Sequence, residues 1–456
     1  MFANLDVVIL AAGKGTRMYS ALPKVLHKIG GMTMLNRIIK AVQALGPKQI
    51  TVVVGHGKDD VIASLPAGVQ WVEQAEQLGT GHALKMALPN LAENGHTLVL
   101  TGDVPLIGTE TLKRLVEAAG AGVGLLTDVI DDATGYGRII RDADNQVQAI
   151  VEEKDCSAEQ KAITEFNTGM MVLPNAHLAN WLAALQTSNA QGEYYLTDVI
   201  ALAGQASVPV NGMVVAHSYE AAGVNNKLQL VELERVLQRN QARDLLLAGV
   251  TLRDPERLDI RGSLQHGKDV VIDVNVVFEG DCVLGDNVDI GPNCVLKDVV
   301  VADGAQIRAF SHLADCEVGP SCEVGPYARL RPGAKLLGSN RVGNFVEIKS
   351  SQLGVGTKVN HLTYIGDTTI GARSNVGAGT VTCNYDGVNK YKTQIGDDVL
   401  VGSGSMLVAP VTVNNGVTIG AGSVITKACP ANQLTLARAK QVTIPNWSRP
   451  VKQKKD

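Results

Sequence analysis

The sequence predicts two domains of different class: an α/β layer with mostly parallel strands, then a parallel β-helix. Three observations point there. Short apolar runs rich in β-branched residues alternate with amphipathic helical stretches through the first 225 residues. A long stretch without glycine or proline follows, and after residue 250 an aliphatic residue recurs at about every sixth position. A chain of 456 residues, 45% hydrophobic and 19% charged, has enough material for two or three such domains and is not composed like a disordered one.

Residues 7–10, 50–54 and 97–100 are continuous apolar strands of the kind buried on both faces of a parallel sheet. Between them, residues 35–45 place Leu35, Ile38, Ile39 and Val42 on one helical stripe. Residues 226–247 read as one long connecting helix with Leu230, Leu233 and Leu237 at helical spacing, closed by Gly249. The organisation expected is residues 1–226, a linker helix over 227–249, and residues 250–456 with a C-terminal tail.

The six-residue period runs Ile272, Phe278, Leu284, Ile290, Leu296, with five-residue steps before Val301, Val318, Leu353 and Ile370, and ends at Ile419 and Ile425. Such a period fits no helix stripe and marks a hexapeptide coil. Each anchor points inward, and glycine or aspartate is expected to supply the corners. The fourth residue after an anchor is often small, as at Cys282, Cys294, Ala334, Thr357, Ser405 and Ser423, which makes those cysteines inward-facing packing residues. About eight turns are expected, in a prism on the order of 40 Å long.

Net charge is −4, which argues against nucleic acid as the main partner. No apolar run reaches the roughly 18 residues of a membrane span, and the first residues do not read as a secretory signal. Seven cysteines without a CxxC fit a reducing cytoplasm better than a disulfide framework or zinc site.

Strand 7–10 runs into Ala11-Ala12-Gly13-Lys14-Gly15-Thr16-Arg17-Met18, then Leu22-Pro23-Lys24. It is neither a Walker A loop nor a dinucleotide fingerprint, whose third glycine is replaced by Met18. Read alone, it is a phosphate-binding turn with two nearby cations, or a plain glycine turn. The whole string resembles the sugar-nucleotide pyrophosphorylase family, as do residues 74–83 (QAEQLGTGHA) and 98–106 (LVLTGDVPL). Joined to the hexapeptide half, and with TGYGR at 134–138, EFNTG at 165–169, NAQGEYY at 189–195 and GVNN at 223–226, the chain resembles one narrower family nearly end to end. That family is the bacterial bifunctional N-acetylglucosamine-1-phosphate uridylyltransferase and glucosamine-1-phosphate N-acetyltransferase.

The resemblance implies a Rossmann-like nucleotidyltransferase domain and a left-handed β-helix. It implies that UTP and N-acetylglucosamine 1-phosphate give UDP-N-acetylglucosamine and pyrophosphate, a product that feeds peptidoglycan and lipopolysaccharide synthesis. Leu10, Ala11, Ala12 and Gly13 would hold the nucleotide, Lys24 its phosphates, Arg17 the leaving pyrophosphate, and Gln74, Gly79 and Thr80 the uracil. Thr101, Gly102 and Asp103 would line the site, though relatives often carry tyrosine in place of Thr101. Gly137, Glu152, Asn167 and Asn225 would line the sugar pocket, and Asp103 and Asn225 would ligate Mg2+. The plainer alternatives make Asp103, before Pro105, and Asn167 turn residues, and Glu152, in the acidic pair with Glu153, a solvated one.

For acetyl transfer the resemblance makes His361 the base that takes a proton from glucosamine 1-phosphate. By position it can equally be a packed or corner histidine, two residues after anchor Val359. Arg331, Lys349 and Lys390 would meet the sugar phosphate unless they are surface cations. Tyr364, Asn375, Asn384 and Tyr385 would contact the sugar. Asn384 and Tyr385, with Ala378, Ser403, Ala421 and Arg438, are also assigned to acetyl-coenzyme A. Residues 384–390 interrupt the hexads, as an element of a site would. The tail with Arg449, Lys452, Lys454 and Lys455 is a solvated end or a cover for coenzyme A phosphates. The family members are trimers with acetyltransferase sites between subunits. Two other readings compete: a single-activity pyrophosphorylase whose β-helix serves only oligomerisation, and a scaffold or nucleotide-exchange subunit.

Overall fold

Strand Leu5–Leu10 is β-branched and apolar because it is covered on both faces. It pairs in parallel with Gln49–Val54 on one side and His96–Thr101 on the other. Gln70–Glu73 extends the sheet in parallel beyond Gln49–Val54, whereas Glu165–Pro174 enters antiparallel beside His96–Thr101. Val123–Val129 and Val210–Val214 complete that edge as a parallel pair. Alternation along the strands sends Val7, Ile9, Val52 and Leu98 to one face and Val8, Val53 and Val99 to the other. The first face packs on Leu35, Ile38, Ile39 and Val42 of helix Met34–Gln43, the stripe read from the sequence. The second face packs on Leu84, Trp181, Leu182 and Ile200. In a sheet so paired, the loops after residues 10, 54, 73 and 101 open at one end.

The computed structural model describes residues 2 and 4–452, and the chain divides into two compact units, Met1–Asn240 and Gln241–Asp456. Helix Lys227–Leu247 follows the first unit's last strand. Its Leu233 and Leu237 pack on Met18, Ile29, Met34 and Val224, and its Ala242 and Leu245 join the core of the second unit. The helix ends where Gly249 turns to φ +95° and Val250 donates back to the Leu245 carbonyl.

In the second unit every anchor read from the sequence is inside, none more than 4% exposed. Anchors stack in register: Ile272 on Ile290, Ile307, Val324, Val342, Val359 and Val376 along one face, and Phe278 on Leu296, Leu313, Leu330, Ile348 and Ile365 along the next. The small fourth positions are also buried, and burial pushes the Cys294 thiol up to about 11 and the Cys316 thiol up to about 12. All seven cysteines are free.

One expectation is corrected. One face holds eleven strands, from Thr251–Leu252 to Leu434–Thr435, so the coil is longer than eight turns. Its first and last rungs lack the glycine-marked hexad and escape a periodicity scan. Glycine and aspartate do supply corners, but of the glycines that directly follow an anchor only Gly325, at φ +100°, takes the positive-φ conformation. A Cβ at Gly319 would lie 2.4 Å from the Leu336 carbonyl oxygen and one at Gly402 2.4 Å from Ala421 N, so they give clearance to the next coil. The corners, at positive φ, are held by Asp298, Asp315, Asp367, Asn287 and Asn293, among others. One column of corners changes character along the prism. Asn275 and Asn293 occupy it first, then come Phe310, Tyr327, Phe345 and Leu362, these four about half exposed or more, and Gly379, Gly404 and Gly422 follow.

Phe278 is fully buried among the stacked anchors. Phe278→Ala is expected to cost about 3–5 kcal/mol, seen as an earlier unfolding transition by calorimetry in the second unit, with uridylyl transfer unchanged below it.

Candidate functional site

The loop after strand Leu5–Leu10 is shaped by Lys24 and by the neighbouring strand Gln49–Val54. Gly15 takes φ +57°, and a Cβ there would lie 2.6 Å from Lys24 Cβ. The Ala11 amide donates to the Val53 carbonyl at 2.9 Å, but those of Ala12, Gly13, Lys14 and Gly15 find no acceptor among the described residues. A run of free amides beside a strand end is an anion cradle. It borders a cavity of about 260 Å³ lined by Leu10, Ala11, Ala12, Gly13, Lys24, Gln74, Gly79, Thr80, Thr101 and Asp103, all expected from the sequence. Gly102 sits beneath, its amide donating to the Leu10 carbonyl at 2.8 Å. The Thr101 hydroxyl is buried without a partner among the described residues. Gln77 and Glu193 also line the cavity. They were not singled out, although each lies inside a string that carried the resemblance.

At the mouth of the loop, four polar side chains converge. Lys24 Nζ donates to Asp103 Oδ2 at 2.5 Å and to Asn225 Oδ1 at 3.4 Å, and Arg17 Nη2 donates to Asn225 Oδ1 at 2.9 Å. The Val224 amide donates to the Asp103 carbonyl at 2.9 Å, so two segments far apart in sequence are pinned together. Gln229 Oε1 accepts from the Asn225 amide at 2.7 Å and fixes that turn.

Gly137, Glu152 and Asn167 form a separate cluster. The Asn167 amide donates to the Gly137 carbonyl at 2.8 Å, and a Cβ on Gly137 would lie 3.3 Å from Glu152 Oε2. Thr197, not foreseen, donates to Glu152 Oε1 at 3.1 Å. Burial pushes the Glu152 carboxyl above the ordinary glutamate range, the Thr197 hydroxyl opposing and Asp198, Asp155 and Glu193 adding to it. Arg138, 1% exposed, anchors this region, pairing with Glu153 at 2.8 Å and donating to the Ile163 carbonyl at 3.0 Å.

In the second unit His361 ends strand Lys358–His361, and Leu362 turns the corner at φ +48°. The corner sends the imidazole outward, so the packed-histidine reading does not hold. Asn344 sits one coil earlier, and its Oδ1 lies 2.9 Å from His361 Nδ1. A carboxamide oxygen can only accept, so Nδ1 is the donor here, and in the neutral imidazole Nε2 is left as the acceptor. Asn344 was missed. The coil period was the available signal, since its register partner is His361 itself.

Successive coils place Ala378, Ser403 and Ala421 in line with His361. The Gly379 amide donates to the His361 carbonyl at 3.2 Å, Gly404 to Ala378 at 2.7 Å and Gly422 to Ser403 at 2.8 Å. Arg438 Nη1 closes the line on the Ala421 carbonyl at 2.9 Å. The result is a row of small residues running about 14 Å over three rungs from the histidine.

On the next face lie Arg331, Lys349 and Tyr364. Arg331 is paired with Glu347 at 2.7 Å, and Glu347 is the register neighbour of Tyr364. Residues 384–392 form a small hairpin closed by a Tyr385–Lys390 bridge and an Asp386 turn. It carries Lys390 to Lys349, whose neighbouring ammonium holds the Lys390 pKa below the ordinary lysine range. Asn384 is buried and donates to Asp367 Oδ2 at 2.5 Å. Asn375 lies on the other face, beside Lys358, and is not brought into this cluster. Arg449 and Lys452 are exposed, and Lys454 and Lys455 lie outside the described residues.

Fold and sites together define a transferase that joins a nucleotidyl-transfer domain to a hexapeptide acyl-transfer coil. Residues 7–194 match the MobA-like NTP transferase domain, and residues 264–298 and 392–427 match the bacterial transferase hexapeptide repeat. The chain is 62% identical over 450 residues to the bifunctional protein GlmU of Chromobacterium violaceum, covering 98% of this chain and 99% of that one. It is 61% identical over 451 residues to that of Neisseria meningitidis serogroup B, covering 99% of each. It is 55% identical over 454 residues to that of Bordetella parapertussis, covering 98% of this chain and 99% of that one. The chain belongs to the family of bifunctional GlmU proteins. It is an enzyme of UDP-N-acetylglucosamine synthesis with acetyltransferase and uridylyltransferase activities, and the single-activity reading is set aside. No helix among the described residues is long and apolar enough to cross a membrane.

This geometry carries two expected outcomes. A carboxyl whose pKa rises on folding is stabilising below the unfolded glutamate range, and that stability is lost as pH rises through the folded value. Glu152→Gln is therefore expected to raise the first unit's melting temperature at pH 8, by roughly 2–4 °C per kcal/mol relieved, with the gain vanishing in acid. Asn344→Leu, which frees the imidazole, is expected to lower kcat for acetyl transfer about 10- to 100-fold at little cost in KM, in a steady-state thiol-release assay.

Proposed function

We propose that the first unit binds UTP, N-acetylglucosamine 1-phosphate and Mg2+ around the Lys24–Asp103–Asn225–Arg17 cluster, and that the second binds glucosamine 1-phosphate and acetyl-coenzyme A around His361. The convergence of those four side chains beside a row of free amides carries the reading.

In uridylyl transfer an oxygen of the sugar phosphate attacks the α-phosphorus of UTP. The new P–O bond forms as the bond to pyrophosphate breaks. The nucleophile is already an anion, so the protein needs no base and works by position and charge. The free amides and Lys24 hold the triphosphate, Arg17 meets the departing pyrophosphate, and Gln74, Gly79 and Thr80 hold the uracil. Gly137, Glu152 and Asn167 orient the sugar. Asp103 Oδ2 and Asn225 Oδ1 both face the Lys24 ammonium, and two oxygens gathered on one positive charge suit a hard cation that takes its other ligands from phosphates. Mg2+ held by Asp103 and Asn225 would neutralise phosphate charge there.

In acetyl transfer Arg331, Lys349 and Lys390 hold the sugar phosphate, and Tyr364 and Asn384 hold the ring. His361 Nε2 takes the proton of the 2-amino group as its nitrogen attacks the thioester carbon. The C–N bond forms, the C–S bond breaks, and the proton leaves with the thiol. The row of Ala378, Ser403 and Ala421 holds the coenzyme arm, with Tyr385 and Arg438 at its sides.

We read the assembly as a homotrimer through the coil. Two observations support it. Phe310, Tyr327 and Phe345 stack with centroids 4.9 and 5.4 Å apart as an exposed ridge, an apolar surface suited to burial. Asn375 lies on a different face from Lys349, so a second prism would complete the site. Seven free cysteines suit a cytoplasmic enzyme.

The test is one mixture of full-length protein, glucosamine 1-phosphate, acetyl-coenzyme A, UTP, Mg2+ and pyrophosphatase, followed by mass spectrometry. The complete mixture is expected to yield UDP-N-acetylglucosamine. Asp103→Ala is expected to stop at N-acetylglucosamine 1-phosphate, and His361→Ala to yield no acetylated sugar, each losing at least 100-fold in its own step only. Crossed or absent effects reject these roles, and sedimentation at other than three times the chain mass rejects the trimer.

A further inference from the structure

Gln74 is 3% exposed and lines the nucleotide cavity, yet its amide is not free to present either end. Nε2 lies 3.0 Å from the Gly79 carbonyl oxygen, which can only accept, and 3.1 Å from His82 Nδ1. A carboxamide nitrogen carries two protons, and here both are committed, one to each acceptor. The His82 ring nitrogen must then be bare and its proton must sit on Nε2. Oε1 receives no hydrogen bond from the described residues and is left to the ligand. The other rotamer would set an oxygen against the Gly79 carbonyl and against that bare nitrogen. The Tyr194 ring lies beside the imidazole, centroids 6.4 Å apart and planes 31° apart.

We infer that His82 is a specificity-determining positioning residue, which together with the Gly79 carbonyl locks Gln74 with its acceptor toward the base. This rests on the reading that Gln74 meets the nucleobase. A fixed acceptor selects a pyrimidine by one atom. Uracil presents N3–H and satisfies it. Cytosine presents a bare N3, which opposes it and cannot be accommodated by turning the amide over. Thymine has the same N3–H as uracil, so the lock does not act on it.

The test uses the full-length protein and kcat/KM for pyrophosphate release from UTP, CTP and dTTP with N-acetylglucosamine 1-phosphate. His82→Leu removes one acceptor. It is expected to lower the UTP-to-CTP ratio about tenfold or more while leaving the UTP-to-dTTP ratio unchanged. His82→Asn, which can return an oxygen acceptor near the Nδ1 position, is expected to restore the ratio. A proportional loss for all three nucleotides, or no change in the UTP-to-CTP ratio, overturns the inference. Gln74→Leu separates the two readings. If it leaves UTP use intact, the nucleobase reading fails; if it impairs UTP use and His82→Leu still spares the ratio, only the lock fails. Should His82→Leu not fold, the 15N spectrum of the unaltered enzyme decides: a bare Nδ1 is expected, and a protonated one overturns the lock.

Discussion

Parallel pairing sets like positions of successive strands side by side, and both sites of this chain are built from that constraint. In the first unit it makes strand ends coincide, so the loops after residues 10, 73 and 101 open onto one cavity. In the second it stacks coil on coil in register, so His361, Ala378, Ser403 and Ala421 form a line although none neighbours another in sequence. Main-chain hydrogen bonds fix these alignments, which leaves outward side chains free to be chosen for chemistry.

The two sites use charge differently. In the first unit the cations Lys24 and Arg17 are engaged with the side-chain oxygens of Asp103 and Asn225. Those contacts hold the oxygens in place beside the row of free amides. The second unit instead gathers like charge, with Lys349 and Lys390 side by side at some electrostatic cost. Glu152 adds a third case, a carboxyl kept in surroundings that favour its neutral form.

Much of this was legible in the sequence because it is periodic or local. The inward anchors, the small fourth positions and helix Met34–Gln43 each follow from a repeat that one sequence displays. The glycine loop and the uracil string carried their resemblance as contiguous text. The parts that were not legible depend on closure in space. The pinning of Asp103 to the Asn225 turn is made by a backbone bond that no spacing encodes. The clearance role of the glycines after anchors was not legible, because the atoms they avoid belong to the next coil rather than to their own turn. The extra coils were missed because their rungs are held by pairing with neighbours and not by a repeated motif. Asn344 lay within reach, since one coil back from His361 is a countable distance, but only once register is known.

The row beside His361 has a length that cannot vary continuously. It is made of rungs about 4.8 Å apart, and its far end is marked by Arg438. Adding or removing a whole coil moves that mark by one graduation and keeps every corner on its edge. Any other change in length turns the later coils onto a different face and breaks the line. The line is thus a ruler with fixed divisions, and the prism can evolve toward a longer or shorter one only by whole steps.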